Sequence, residues 1–193
     1  GYLTPFGYCF DIGIATNQAI ERYLAGVLPE KCGGTGERDN GNGALMRISP
    51  LALNLYENVD FSYRSKIIEQ YTKLTHAHPR SIVASILYVQ LLIGFLLNIR
   101  LEKLLCQSKP YLEDYFKKSP EYWDEYQEHF REIFDKEFYQ KAREDIASTG
   151  YVVDTLKACL WCLGTTDSFE EAVLKAVNLG GDTDTIGAIT GTL

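Results

Sequence analysis

Apolar residues recur at helical spacing through most of this chain. Ala19, Ile20, Tyr23 and Leu24 share one face of a helix predicted over 16–24. Before it, Pro5 and three glycines in 1–16 predict a loop. Ala44 to Tyr56 carries the next helical pattern, and 62–75 another. Pro79 then breaks the chain, because proline disfavours helix at the preceding residue and suits a first helical position. From about Arg80 to Arg100 a long apolar helix follows. Its apolar run, Ser81 to Leu97, includes Ser81, Ser85 and Gln90, which predicts a buried core helix and no membrane partner. Leu156, Leu160 and Leu163 stack on a helix over 150–163. Ser168 and Glu171 have capping-box spacing for one more, ending at Gly180. Sustained two-residue alternation is missing, so the pattern predicts a single all-α domain over residues 1–193.

Residues 111–148 change character. Eleven acidic and six basic side chains alternate with Tyr, Phe and Trp, and Pro110 and Pro120 punctuate the segment. Amphipathic helices on an acidic rim, aromatics inward, are the expected structure. The whole chain carries a net charge of −7. Such a balance gives no global reason to bind nucleic acid, so a phosphate-bearing ligand would have to be held locally. Five cysteines without framework spacing, and no visible signal peptide, suggest reduced thiols in a cytoplasmic protein. Cys159 and Cys162 have CxxC spacing but sit in an apolar helix without a nearby histidine, which favours buried thiols over zinc or redox chemistry.

Four non-helical junctions concentrate the chemistry: Asp11-Ile12-Gly13, the long turn-rich loop 29–43, Thr75-His76, and Gly180 to Thr185. Junctions of this kind collect at one end of a helical bundle, where ligands are held. In the last, Asp182, Asp184 and Thr185 offer oxygen donors suited to a hard divalent cation, or the same residues simply cap a helix. Gly41-Asn42-Gly43 can bring bare backbone N–H groups to an anion, or be an ordinary turn. Arg47, one helical turn on, is placed to meet a phosphate or to pair with an acid. Asp11 is a candidate general base or a turn former, and His76 a helix-end residue or a donor to ligand.

Together these segments carry a family resemblance. Asn42-Gly43-Ala44-Leu45-Met46-Arg47-Ile48-Ser49-Pro50 resembles the GNGxxMRxxP segment of ADP-ribosylglycohydrolases. Gly180-Gly181-Asp182-Thr183-Asp184-Thr185-Ile186-Gly187 is similar to that family's C-terminal metal motif. Phe10-Asp11-Ile12-Gly13, Thr75-His76-Ala77-His78-Pro79 and Gly150-Tyr151-Val152-Val153 fall in the family's order. The resemblance, strongest to bacterial members, implies a compact multi-helix fold and two adjacent Mg²⁺ or Mn²⁺ ions. Those ions would assist cleavage of the glycosidic bond between ADP-ribose and a modified protein side chain. It implies Asp182, Asp184 and Thr185 as metal ligands and Asp11 as the acid near the scissile bond. Gly41, Asn42 and Gly43 would line the diphosphate and ribose pocket, His76 would face the ADP part, Tyr151 would line the cleft near the modified side chain, and Glu37 would also reach the cleft. The family's Thr-Asp-Asp motif belongs upstream of Asp11, where only ten residues stand. The resemblance therefore implies the C-terminal two-thirds of such a domain, lacking its N-terminal helices. Either an ADP-ribosylglycohydrolase or a catalytically inactive ADP-ribose-binding remnant is consistent with that pattern.

Overall fold

The structure, a computed structural model, describes residues 5–9 and 11–193. Gly1 to Thr4 and Phe10, part of the predicted N-terminal loop, lie outside the described residues. The described chain is helical: α1 (Ile14–Leu24), α2 (Leu45–Ile48), α3 (Pro50–Leu55), α4 (Phe61–Lys73), α5 (Pro79–Leu96), α6 (Leu101–Phe116), α7 (Pro120–Glu125), α8 (Val152–Gly164), α9 (Phe169–Val177) and α10 (Thr183–Thr192). Among the described residues the only β pairing is two isolated bridges, Gly34 with His76 and Gly41 with Tyr151.

Helix α5 is the axis of the bundle. Every residue from Arg80 to Gly94 is buried, and α2, α3, α4, α6, α7 and α8 all pack on it. A helix apolar on all sides needs such a sheath. By length and composition α5 could cross a membrane, yet 83% of that window is buried by its neighbours. Helix α8 is the second core helix, and α9 and α10 pack on it and on each other. The Cys159 and Cys162 thiols are free and buried inside it, where burial pushes them up to about 12 and about 11.

Several expectations change. The predicted helix over 44–56 divides at Ser49, with Pro50 opening α3, because proline has no N–H for the intrahelical ladder. Helix α5 stops at Leu96, where Asn98 turns left-handed at φ 58°. Pro110 does not punctuate: α6 runs through it. Both Pro110 and Cys106, four residues back, are on the exposed side, so the freed carbonyl can meet water. From Tyr126 to Asp145 the backbone forms short π and 3₁₀ turns in place of amphipathic α-helices. These turns still deliver Tyr126, Phe130, Ile133 and Phe138 to the core. Burying each such side chain is worth about 1.5–3 kcal/mol, which exceeds the preference for regular helix. The face expected to pack on α1 is open: Ala19 is buried, but Tyr23 and Leu24 are 58% and 78% exposed.

Candidate functional site

The C-terminal motif is shaped by two glycines. Gly180 and Gly181 have φ of +81° and +70°, in the left-handed region that side chains avoid. A Cβ on Gly181 would also lie 2.2 Å from the Ser148 carbonyl oxygen. That oxygen accepts from the Asp182 N–H at 2.9 Å. The turn thus pins Asp182 against 148–150 and launches α10. Asp182 occupies the N-cap position, but its side chain makes no capping hydrogen bond. Its Oδ2 instead accepts from the Asn42 side-chain amide at 2.5 Å, across 140 residues of sequence. Asp184 is exposed in the first turn, while Thr185 is 5% exposed with its hydroxyl 4.0 Å from the Met46 sulfur.

Asn42 is itself buried. Its Nδ2 also donates to Thr155 Oγ1 at 2.9 Å, and the Thr155 hydroxyl donates onward to the Thr149 carbonyl at 3.0 Å. Both amide protons are therefore committed, which leaves Oδ1 as an acceptor. Its backbone N–H donates to the Gly150 carbonyl at 3.0 Å, and Val152 N–H donates to the Asn40 carbonyl at 2.9 Å. This is the Gly41–Tyr151 bridge, which locks the glycine loop to the start of α8. Gly34 pairs with the His76 segment, locking the same loop to the start of α5.

His76 lies under that loop, 2% exposed. A Cβ on Gly43 would come within 3.0 Å of its Cε1 and 3.4 Å of Nε2. Burial and the nearby Arg47 cation hold its pKa down at about 4. The ring shares a hydrogen bond with Thr75 Oγ1 through Nδ1 (2.7 Å), which fixes its orientation beneath the loop. Arg47 turns toward the end of α4. It donates to the Tyr71 and Thr72 carbonyls at 3.0 and 3.3 Å and to Thr75 Oγ1, capping the C-terminal end of α4, where a cation suits the helix dipole.

Beside Tyr151 stands an ionic cluster. Arg80, 7% exposed, donates from Nε and Nη2 to the Glu125 carboxylate at 2.6 and 3.2 Å and from Nη1 to Glu37. Its guanidinium lies 5.7 Å from the Tyr151 ring centroid. The Arg80 hydrogen bond holds Glu37 below the usual carboxylate range. Burial alone would lower the Arg80 pKa, and the bonds from Glu125 and Glu37 more than reverse this. Arg80, Glu125 and Thr155 went unnoticed in the sequence. A lone arginine directly after Pro79, at the start of an apolar helix, was the available signal for the first. Glu125 was hidden among eleven acids, and Thr155 looked like one more helix residue.

Asp11 sits on the exposed loop before α1. No three His, Cys, Asp or Glu side chains among the described residues converge as a metal cluster, so Asp11 is not grouped with Asp182 and Asp184. The donor chemistry at α10 nonetheless fits a hard cation. Two carboxylates and an under-used hydroxyl share one helical turn, and Asp182 is turned away from capping. The remaining positions of an octahedral ion would fall to water, ligand hydroxyls or other protein oxygens.

Residues 3–193 match the family model described as ADP-ribosylglycohydrolase. The chain is 31% identical over 186 residues to ADP-ribosylarginine hydrolase Tri1 of Serratia proteamaculans (strain 568), covering 96% of this chain and 46% of that protein. It is 30% identical over 185 residues to ADP-ribosyl-[dinitrogen reductase] glycohydrolase of Rhodospirillum rubrum, covering 95% and 54%. A solved structure titled ADP-ribosylglycohydrolase-related protein complex superposes with a TM-score of 0.71 at 34% identity, over 94% of this chain and 57% of that one. The chain thus spans about half the length of the curated relatives it matches.

Proposed function

The chain belongs to the ADP-ribosylglycohydrolase family, and we propose that it carries the ADP-ribose-binding face of a hydrolase that cleaves ADP-ribose from a modified protein side chain. The observation that supports this best is the Asn42–Asp182 hydrogen bond. It joins the glycine loop to the N-terminus of α10, so the two motifs act as one surface. On that surface the Asn42 Oδ1 is the free acceptor for a ribose hydroxyl, since both its amide protons are spent. The Asn42 backbone N–H is spent on Gly150, so diphosphate contacts fall to the neighbouring Gly41 and Gly43 N–H groups. Keeping Gly43 without a side chain leaves the loop seated on His76. Tyr151 borders the surface on the side of the ionic cluster.

Asp182, Asp184 and Thr185 would hold Mg²⁺ or Mn²⁺, which when bound would orient ribose hydroxyls and polarise water. Cleavage at the anomeric carbon builds oxocarbenium character, and a carboxylate is needed to take the proton of the attacking water. Asp11, on the exposed loop before α1, is the proposed group for that role. The names of the Serratia relative and of one from Pseudomonas putida (strain GB-1) favour an ADP-ribosylated arginine as the substrate of the whole protein. Five free thiols suit a reducing cytoplasmic setting.

A second reading, a catalytically inactive ADP-ribose-binding module, is favoured by the exposed position of Asp11 and by the finding that no three His, Cys, Asp or Glu side chains form a metal cluster among the described residues. One experiment separates the two. A protein carrying ADP-ribosylated arginine is incubated with this chain and Mn²⁺, and released ADP-ribose is measured by mass spectrometry. Release that disappears in Asp184→Ala supports the hydrolase. ADP-ribose binding without release supports the second reading, and neither binding nor release overturns both.

A further inference from the structure

Arg80 is an unusual residue to find where it lies. It is a cation in the first turn of α5, the positive end of the helix, and it is nearly fully buried. Its buried neighbours in that turn carry no charge: Ser81, whose hydroxyl donates to Asn40 Oδ1, and Ile82. Three of the five guanidinium N–H donors of Arg80 are used, two on Glu125 and one on Glu37, with the guanidinium beside the Tyr151 ring. The two carboxylates differ in their settings. The Glu125 side chain is 16% exposed and is also approached by His129 Nε2 at 3.3 Å and His78 Nδ1 at 3.9 Å. The Glu37 side chain is 70% exposed, with His78 Nε2 at 3.5 Å from its second oxygen. The inner carboxylate anchors the arginine, and the arginine holds the outer carboxylate at the mouth next to Tyr151.

We infer that Arg80 is a positioning residue, fixed by Glu125, that holds Glu37 and the Tyr151 ring as a receptor for a cationic acceptor side chain of guanidinium type. This rests on the reading that the chain binds ADP-ribosylated side chains. Two carboxylates face one guanidinium, so Arg80 by itself leaves one negative charge unmatched. A second guanidinium can fork onto the outward edge of Glu37 and lie over the aromatic face, whereas a hydroxyl-linked acceptor offers no charge for either. Lysine cannot replace the fork of Arg80, because an ammonium cannot grip two carboxylates in fixed directions.

The test compares two ligands, ADP-ribosyl-arginine and free ADP-ribose, by calorimetry on the wild-type chain, Arg80→Lys and Glu37→Gln. Amide hydrogen exchange of residues 36–41 and 151 is followed in parallel. Both variants should lose about tenfold in affinity for ADP-ribosyl-arginine while ADP-ribose affinity stays within about twofold. Arg80→Lys should also speed exchange in 36–41 but not in the middle of α5. Equal losses for the two ligands, or no loss in Glu37→Gln, overturn the inference. If the wild-type chain binds neither ligand, the functional reading fails. The exchange measurement then decides the positioning role, and unchanged exchange in 36–41 overturns it.

Discussion

The hydrogen bond between Asn42 and Asp182 is the sharpest place to perturb this molecule. Asn42→Ala removes two bonds at once: a charge-assisted one to the Asp182 carboxylate and a neutral one to Thr155 Oγ1. The first is worth about 1.5–3 kcal/mol and the second about 0.5–1.5 kcal/mol. Asp182 is partly exposed, so water recovers some of the loss on its side. Thr155 is fully buried and gains no such help. An overall cost of about 2–3 kcal/mol follows. The pairwise share is isolated by a double-mutant cycle of Asn42→Ala and Asp182→Ala, read by urea unfolding followed by circular dichroism. The expected coupling is about 1.5 kcal/mol, well above the usual additivity error of about 0.3–0.5 kcal/mol. A coupling within that error would refute the claim that the glycine loop and α10 are one unit.

Other expectations follow from the same geometry. His76 has a folded pKa of about 4 against an ordinary 6.5, so the unfolded chain binds its proton first as pH falls. Its contribution is intact above pH 6.5 and is lost progressively down to about 4, by about 3 kcal/mol in all. Unfolding midpoints measured across that window should show the slope, and His76→Asn should flatten it. Gly181→Ala should cost about 3 kcal/mol, from the left-handed backbone and the contact with Ser148, seen as a lower thermal midpoint; an unchanged midpoint contradicts the turn as described. Asp184→Ala should leave stability within about 0.5 kcal/mol, because the side chain is exposed, while weakening Mn²⁺ binding in calorimetry; undiminished binding removes Asp184 from the ligand set.

What could be read from the sequence follows the physics of each segment. Helices α4, α5, α8 and α9 carry unbroken patterns or marked ends, such as Asp60 accepting from Ser62 and Tyr63 N–H groups and Ser168 from Glu171 N–H. Their positions were accordingly legible to within a few residues. The segment 126–145 was not, because its aromatics are placed by tertiary packing that overrides local helix preference. Helix α1 has a helical pattern but an open face, and periodicity reports only that one side is apolar, never what covers it. At the site, glycines and paired aspartates announce themselves by type. The partners that orient them do not: Thr155 and Glu125 are ordinary residues made special by neighbours more than forty positions away. Arg47 shows the reverse case, a conspicuous charge beside a glycine loop that turns back to close a helix end.

The central claim is that the Asn42 loop and the start of α10 together bind ADP-ribose. Isothermal titration of ADP-ribose into this chain, with Mg²⁺ or Mn²⁺ present and again with chelator, tests it most directly. Saturable binding that weakens about tenfold in Asn42→Ala and on chelation is the predicted result. Binding that is indifferent to both, or no binding by the wild-type chain at millimolar ligand, would contradict it.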